Sequence, residues 1–319
     1  MNTELIEAFA ATETITRTEA RNFYYGIRLL PKAKRGALCA VYALARRIDD
    51  IGDGDAAPAE VKLRRLDGLA GRLAGIKAGA AETDPVLLAV AEVSRQFPIP
   101  LGAFGELIEG VRQDVQGASY QTFDELVGYC RCVAGSIGRL CLGVFGSAPD
   151  PAASGYADAL GIGLQQTNIL RDIREDLLNG RIYLPQQDLG RFGVRLAVGP
   201  DGRLVDDSGR LTELIGFAAD RAIDWYDRGL RLLPLLDWRS RSSCAAMAGI
   251  YRQLLARIAA DPSVVFGGRL SLSGADKGRI AVRSLLGAPE PKATAGEHRR
   301  RAEQSVSAEE RNGSGVSNE

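Results

Sequence analysis

Apolar residues recur along this chain at the three-and-four spacing of helices, and sustained two-residue alternation is absent. The clearest stretch begins at Lys34, is rich in Ala and Leu, and runs through Cys39, Tyr42 and Ala45 until Gly52 and Gly54 end it. The same periodicity predicts helices over 58–77 with Pro58 in the first turn, another after Asp84-Pro85, and a segment over 101–114 behind Pro98 and Pro100. Thr122 with Glu125 three residues later reads as a capping box, opening a helix through Tyr129 into the small-residue run 133–138. A long helix is expected from near Pro151 to a stop at Asn179-Gly180. A loop over 191–210 and helices near 211–235, 240–260 and 272–286 follow. Residues 1–17 are polar with a short amphipathic piece and carry little weight, and the text from Pro289 onward has the composition of a disordered tail. The pattern is that of an all-α protein with one helical domain over 18–288. Gly161-Ile-Gly163 lies inside a helical pattern without a preceding strand, so it marks a close approach or bend of helices, not a dinucleotide site.

Within the long helix, Asn168, Asp172 and Asp176 are spaced four apart and project from one face, with Gln165 one turn earlier on the same stripe. Ile162, Ile169 and Ile173 sit beside it, so the polar stripe points into the protein. Asp49 and Asp53 repeat the spacing more than a hundred residues upstream. Carboxylates on successive turns repel by roughly 2–3 kcal/mol at an effective dielectric of 20, and Mg²⁺ is the cation suited to compensate, through oxygen ligands and substrate phosphates. The candidate ligands are Asp49, Asp53, Asn168, Asp172 and Asp176. Arg46 and Arg171 adjoin them, placed to pair with the carboxylates or with diphosphate oxygens. Metal and arginine together would stabilise a departing diphosphate, leaving a carbocation. Such a cation needs a dry pocket, for which Phe23, Tyr24, Tyr42, Tyr129 and the 133–138 run are candidates.

Composition narrows the chemistry further. Lys+Arg and Asp+Glu are equal at 40 each, which gives no sign of nucleic-acid binding. Five cysteines in apolar or helical text suggest buried thiols in a reducing compartment. The single histidine, His298, lies in the polar tail, so Ser-His-Asp, Cys-His and His-zinc chemistries lack their central residue. No signal peptide or membrane-length apolar run is visible, so the expected location is cytoplasmic, compatible with peripheral membrane contact.

At these residues the sequence resembles the squalene/phytoene synthase family. The matching text is Arg46-Arg-Ile-Asp49-Asp-Ile-Gly-Asp53, Gly110-Val-Arg-Gln-Asp114, Tyr129-Cys-Arg-Cys-Val-Ala-Gly-Ser-Ile-Gly138, Gln165-Gln-Thr-Asn168-Ile-Leu-Arg-Asp172-Ile-Arg-Glu-Asp176 and Gly180-Arg-Ile-Tyr-Leu-Pro185. The resemblance implies a single-domain isoprenoid-synthase bundle around a central cavity and head-to-head joining of two prenyl diphosphates. It implies two or three Mg²⁺ ions on the aspartate motifs, and diphosphate contacts from Asn22, Arg46, Gln165, Arg171, Tyr183, Tyr251 and Arg269. Bound diphosphate or Tyr129 is the implied proton acceptor. The family often has serine or histidine where this chain reads Arg21-Asn22. The form Asn22-Phe-Tyr-Tyr-Gly-Ile-Arg-Leu-Leu-Pro31 is most similar to the hopanoid branch, which implies two farnesyl diphosphates as substrates and presqualene diphosphate as product, without NADPH. The nearest alternatives are a phytoene synthase acting on geranylgeranyl diphosphate and, if NADPH is used, a squalene synthase. A terpene cyclase would share the metal site but not the 129–138 segment. An assembly protein that kept only the fold would show broken aspartate motifs, and both are intact. Protein partners are not specified by the sequence.

Overall fold

The structure, a computed structural model, describes residues 3–20, 23–54 and 57–287. Arg21, Asn22, His298 and the tail expected from Pro289 lie outside the described residues. The described residues form thirteen α-helices: α1 Thr3–Glu19, α2 Phe23–Ile27, α3 Lys32–Asp53, α4 Ala59–Lys77, α5 Pro85–Gln96, α6 Gly102–Val115, α7 Phe123–Cys130, α8 Ser136–Phe145, α9 Ala153–Leu178, α10 Gln186–Phe192, α11 Arg210–Gly229, α12 Trp238–Ala260 and α13 Gly274–Leu285. Among the described residues the only β feature is an isolated bridge, Val198 to Leu204, inside the expected loop.

Local chemistry sets several helix ends. Asp84 caps α5 by accepting from the amides of Val86 and Leu87, with Pro85 in the first turn. Thr122 and Glu125 form the expected capping box. Gly180, at φ +76°, turns the chain away after α9, a conformation that glycine adopts without steric cost.

Three expectations need correction. Residues 3–19 form a helix packed against α3 and α5. Its buried face carries Thr12 and Thr16, whose hydroxyls donate to the carbonyls of Phe9 (3.0 Å) and Thr12 (2.8 Å), so a polar-looking sequence buries without an unsatisfied group. The helix from Thr122 is not uniform: residues Arg131–Gly135 form a π-turn between α7 and α8. The expected helix over 211–235 ends at Gly229, and a 3₁₀ turn carrying Pro234 follows.

The long α9 is the axis of the bundle. It packs against α8, α11, α12 and the π-turn, and its glycines allow the approach. A Cβ at Gly161 would lie 2.3 Å from the Ala134 carbonyl oxygen, and one at Gly138 would lie 2.3 Å from that of Ala157. Gly161→Ala is therefore expected to cost about 3 kcal/mol, because backbone must move on both sides. Denaturant unfolding checks this, and a midpoint equal to wild type would refute the close contact.

Candidate active site

A cavity of about 280 Å³ lies between α3 and α9. On α3 the lining positions Leu38, Tyr42, Arg46 and Asp49 form one stripe, and on α9 Ala157, Leu160, Leu164 and Asn168 form another. Leu38 and Asp49 are eleven residues apart, so the cavity extends about 16 Å along the helix. Arg46, Asp49, Gln165 and Asn168 make its polar end; Phe145, Leu232 and Met247 line it elsewhere with apolar surface. The 133–138 run contributes Val133, Ala134, Ile137 and Gly138 to the wall, as expected. Phe23 and Tyr42 also line it, whereas Tyr24 packs on the surrounding core instead.

The two aspartate motifs meet at this polar end. Burial pushes Asp49 up to about 7, with the Asp53, Asp50 and Asp114 charges adding to the effect against Arg46. Asp176 is likewise pushed up to about 7 by burial, with Asp172, Asp114 and Asp53 adding to it. Asp176 of the second motif thus feels Asp53 of the first, and Asp49 and Asp176 both feel Asp114, which places α3, α6 and α9 carboxylates around one space. Arginines partly neutralise the group. Arg171 holds Asp172 with two donors, its Nε at 2.8 Å from Oδ1, and Arg269 Nε reaches the same Oδ1 at 3.1 Å. Arg181 Nη1 pairs with Asp53 Oδ1 at 2.7 Å. Arg46 pairs with Asp50 at 2.7 Å and leaves its own Nε buried without an acceptor.

Asp114 stands at the side of this space as an acceptor for two phenols, Tyr129 at 2.9 Å and Tyr183 at 2.8 Å. Tyr183 stacks on both Tyr120 and Tyr129, which are tilted against each other, with centroid distances of 5.2–6.4 Å. Tyr129 is therefore not part of the cavity wall. Burial and the neighbouring Asp114 raise its phenol well above the ordinary value, so it stays protonated and donates to Asp114. Tyr251 stacks on Phe23 at 5.4 Å and hydrogen-bonds Arg171.

The structure brings together Arg46, Asp49, Asp53, Gln165, Asn168, Arg171, Asp172, Asp176, Tyr183, Tyr251 and Arg269; Asn22 lies outside the described residues. Asp114 and Arg181 adjoin this group, and spacing did not single them out. Their signal lay in the Gly110–Asp114 and Gly180–Pro185 text, but neither residue sits on a repeating stripe with a partner of its own kind. The donor set fits Mg²⁺. Its ligands are all oxygens, Asn168 Oδ1 is buried with no hydrogen-bond donor, and Asn168 Nδ2 is tied to Gln165 Oε1 at 3.3 Å, which aims Oδ1 away from that residue. Among the described residues no three acid, histidine or cysteine side chains close into a metal cage by themselves. Mg²⁺ bound through few protein ligands and substrate phosphates needs no such cage.

Comparison with known proteins places this arrangement. The sequence matches the Squalene/phytoene synthase family model over residues 16–276. It is 56% identical over 283 residues to a phytoene synthase of Mycobacterium tuberculosis, covering 89% of this chain and 92% of that one. It is 36% identical over 264 residues to the 15-cis-phytoene synthase of Synechococcus elongatus, covering 79% and 83%. A crystal structure of a dehydrosqualene synthase in complex with ligand superposes with a TM-score of 0.79 at 31% identity, covering 88% of this chain and 96% of that one. Squalene synthase HpnC from Alicyclobacillus acidocaldarius gives 0.71 at 31% identity, covering 81% and 95%. With the aspartate motifs facing one another across the polar end of an apolar cavity, and the match spanning nearly the whole helical body, this chain belongs to the squalene/phytoene synthase family, enzymes that join prenyl diphosphates head to head.

Proposed function

We propose that this protein condenses two molecules of geranylgeranyl diphosphate into phytoene. The observation that carries the choice of substrate is the 56% identity to a phytoene synthase over 92% of that protein's length. This favours the C20 alternative over the farnesyl diphosphate and presqualene diphosphate reading drawn from the Asn22–Pro31 text. A C15 substrate remains the second reading, supported by the 31% identity to dehydrosqualene and squalene synthases.

In the proposed reaction Asp49, Asp53, Asn168, Asp172 and Asp176 would hold Mg²⁺, which supplies positive charge against the diphosphate oxygens as the carbon–oxygen bond breaks. Arg46 presents its unpaired Nε beside Asp49, and Arg171 and Arg269 stand at Asp172, ready to donate to the same leaving group. The allylic chain lies along the apolar wall, where Phe23 and Tyr42 face the cation and water is excluded. The double bond of the second substrate attacks the cation, and loss of a proton closes a cyclopropane. With Tyr129 held as a donor to Asp114, the departed diphosphate is the base we assign to that proton. Loss of the second diphosphate opens the ring, and a second proton loss gives the central double bond. This closure by proton loss requires no reductant.

The test is incubation of the protein with geranylgeranyl or farnesyl diphosphate separately, with Mg²⁺ and without NADPH, followed by product identification. A C40 hydrocarbon from the C20 substrate is expected. A cyclopropyl C30 diphosphate formed with higher kcat/KM would move the assignment to the C15 reading, and no diphosphate release from either would sink both.

A further inference from the structure

The arginines of the acidic group are not distributed evenly. Asp172 has both oxygens engaged by Arg171, and Oδ1 is shared with Arg269. Asp53 is engaged by Arg181. Asn168 Oδ1, by contrast, has no donor. Candidate metal ligands therefore fall into two classes, those already paired with a guanidinium and those open. A dication entering beside Asp53 or Asp172 meets a positive group on the same carboxylate, and the repulsion is relieved only if that group leaves for another anion.

Arg181 is the most telling of the three. Its backbone amide is bonded to the Asp176 carbonyl at 2.8 Å, just past the turn at Gly180, so its side chain starts from the end of the second aspartate motif and crosses to the first. Burial alone would lower its affinity for a proton, but the hydrogen bond to Asp53 and the charges of Asp53 and Asp114 hold it above the ordinary value. The same guanidinium lowers Asp176 and Asp114. It is thus within the field of three carboxylates on three helices. The segment that carries it has its own anchors: the amides of Gln186 and Gln187 bond the carbonyls of Tyr120 and Gln121, and buried Asp188 pairs with Arg221. The position of the segment does not depend on the Arg181 side chain.

Resting on the reading of this space as a metal–diphosphate site, we infer that Arg181 is a diphosphate-binding residue parked on Asp53 in the unliganded protein. With Arg269, it exchanges from carboxylate to diphosphate as the metal takes the carboxylate. Asp53 then serves two cations in turn. The exchange makes metal and diphosphate each raise the other's affinity beyond what direct bridging between them provides, as reciprocal linkage requires.

The prediction separates this exchange from an ordinary contact. Full-length Arg181→Gln should bind Mn²⁺ alone at least threefold more tightly, because Asp53 is released, and inorganic pyrophosphate alone at least fivefold more weakly. Asp53→Asn should do the reverse, weakening Mn²⁺ and tightening pyrophosphate, because Arg181 is released. Free Mn²⁺ is read by electron paramagnetic resonance and pyrophosphate by calorimetry. Opposite movements of the two affinities in both variants support the exchange. Affinities that stay within error in Arg181→Gln, or that move in the same direction, overturn it even though the wild type binds both ligands. A wild type that binds neither Mn²⁺ nor pyrophosphate overturns the underlying reading of the site, and the exchange with it.

Discussion

Asp172→Asn is expected to lower turnover at least about a thousandfold, some 4 kcal/mol of barrier, while the helical circular dichroism is retained. The substitution removes the charge that would hold a metal but keeps an oxygen for Arg171 and Arg269. Asp172→Ala is a poorer probe. Arg171 is only 4% exposed, and losing its two-pronged partner leaves a buried charge to be carried by Tyr251 alone. A fall in activity in that variant would mix lost chemistry with lost stability. Retention of more than a tenth of wild-type kcat/KM in Asp172→Asn would contradict the role assigned to this carboxylate.

Asp49→Asn is expected to abolish activity and, without Mg²⁺, to stabilise the fold at neutral pH. Asp49 and Asp176 both lie near 7 in the folded protein against an ordinary 3.8. Between about pH 4 and 7 the folded state therefore holds more protons than the unfolded state, and stability falls as pH rises through that window. Above 7 the whole penalty is present, at most about 4 kcal/mol for one such group before discounting its partial exposure and its coupling to the others. Removing the Asp49 charge removes that share. The unfolding midpoint of the variant should equal that of wild type below pH 4 and exceed it increasingly up to pH 8. Adding Mg²⁺ should close the gap by raising wild type. A midpoint difference that is independent of pH would show that the carboxylates are not straining the fold.

How legible the protein was depends on how local each feature is. The capping box at Thr122, the proline start at Pro85 and the glycine stop at Gly180 are decided within a few residues, and the structure shows all three. The stripe from Gln165 to Asp176 follows from 3.6 residues per turn and nothing else. The π-turn over Arg131–Gly135 left no local mark. It accompanies packing in which Gly135 sits under Asp158, a residue that also takes hydrogen bonds from Arg131 and Arg139. The helix over Thr3–Glu19 was obscured for the opposite reason. Threonine reads as polar in sequence, yet its hydroxyl is satisfied by the preceding turn once buried.

By itself the sequence determined an all-α chain with two aspartate motifs of the same spacing, the second on an inward-facing stripe, and through the resemblance it identified the family. Those properties depend on helical periodicity and on residue type, both of which are written along the chain. Only the tertiary structure decided which polar groups meet: Arg181 with Asp53, Arg269 with Asp172, and Tyr129 and Tyr183 with Asp114. Four such pairs join residues 15 to 128 positions apart, or on different segments, so no periodicity can announce them. Their partners are set by how helices and connecting segments distant in sequence pack, and that packing gave a row of carboxylates its counter-ions.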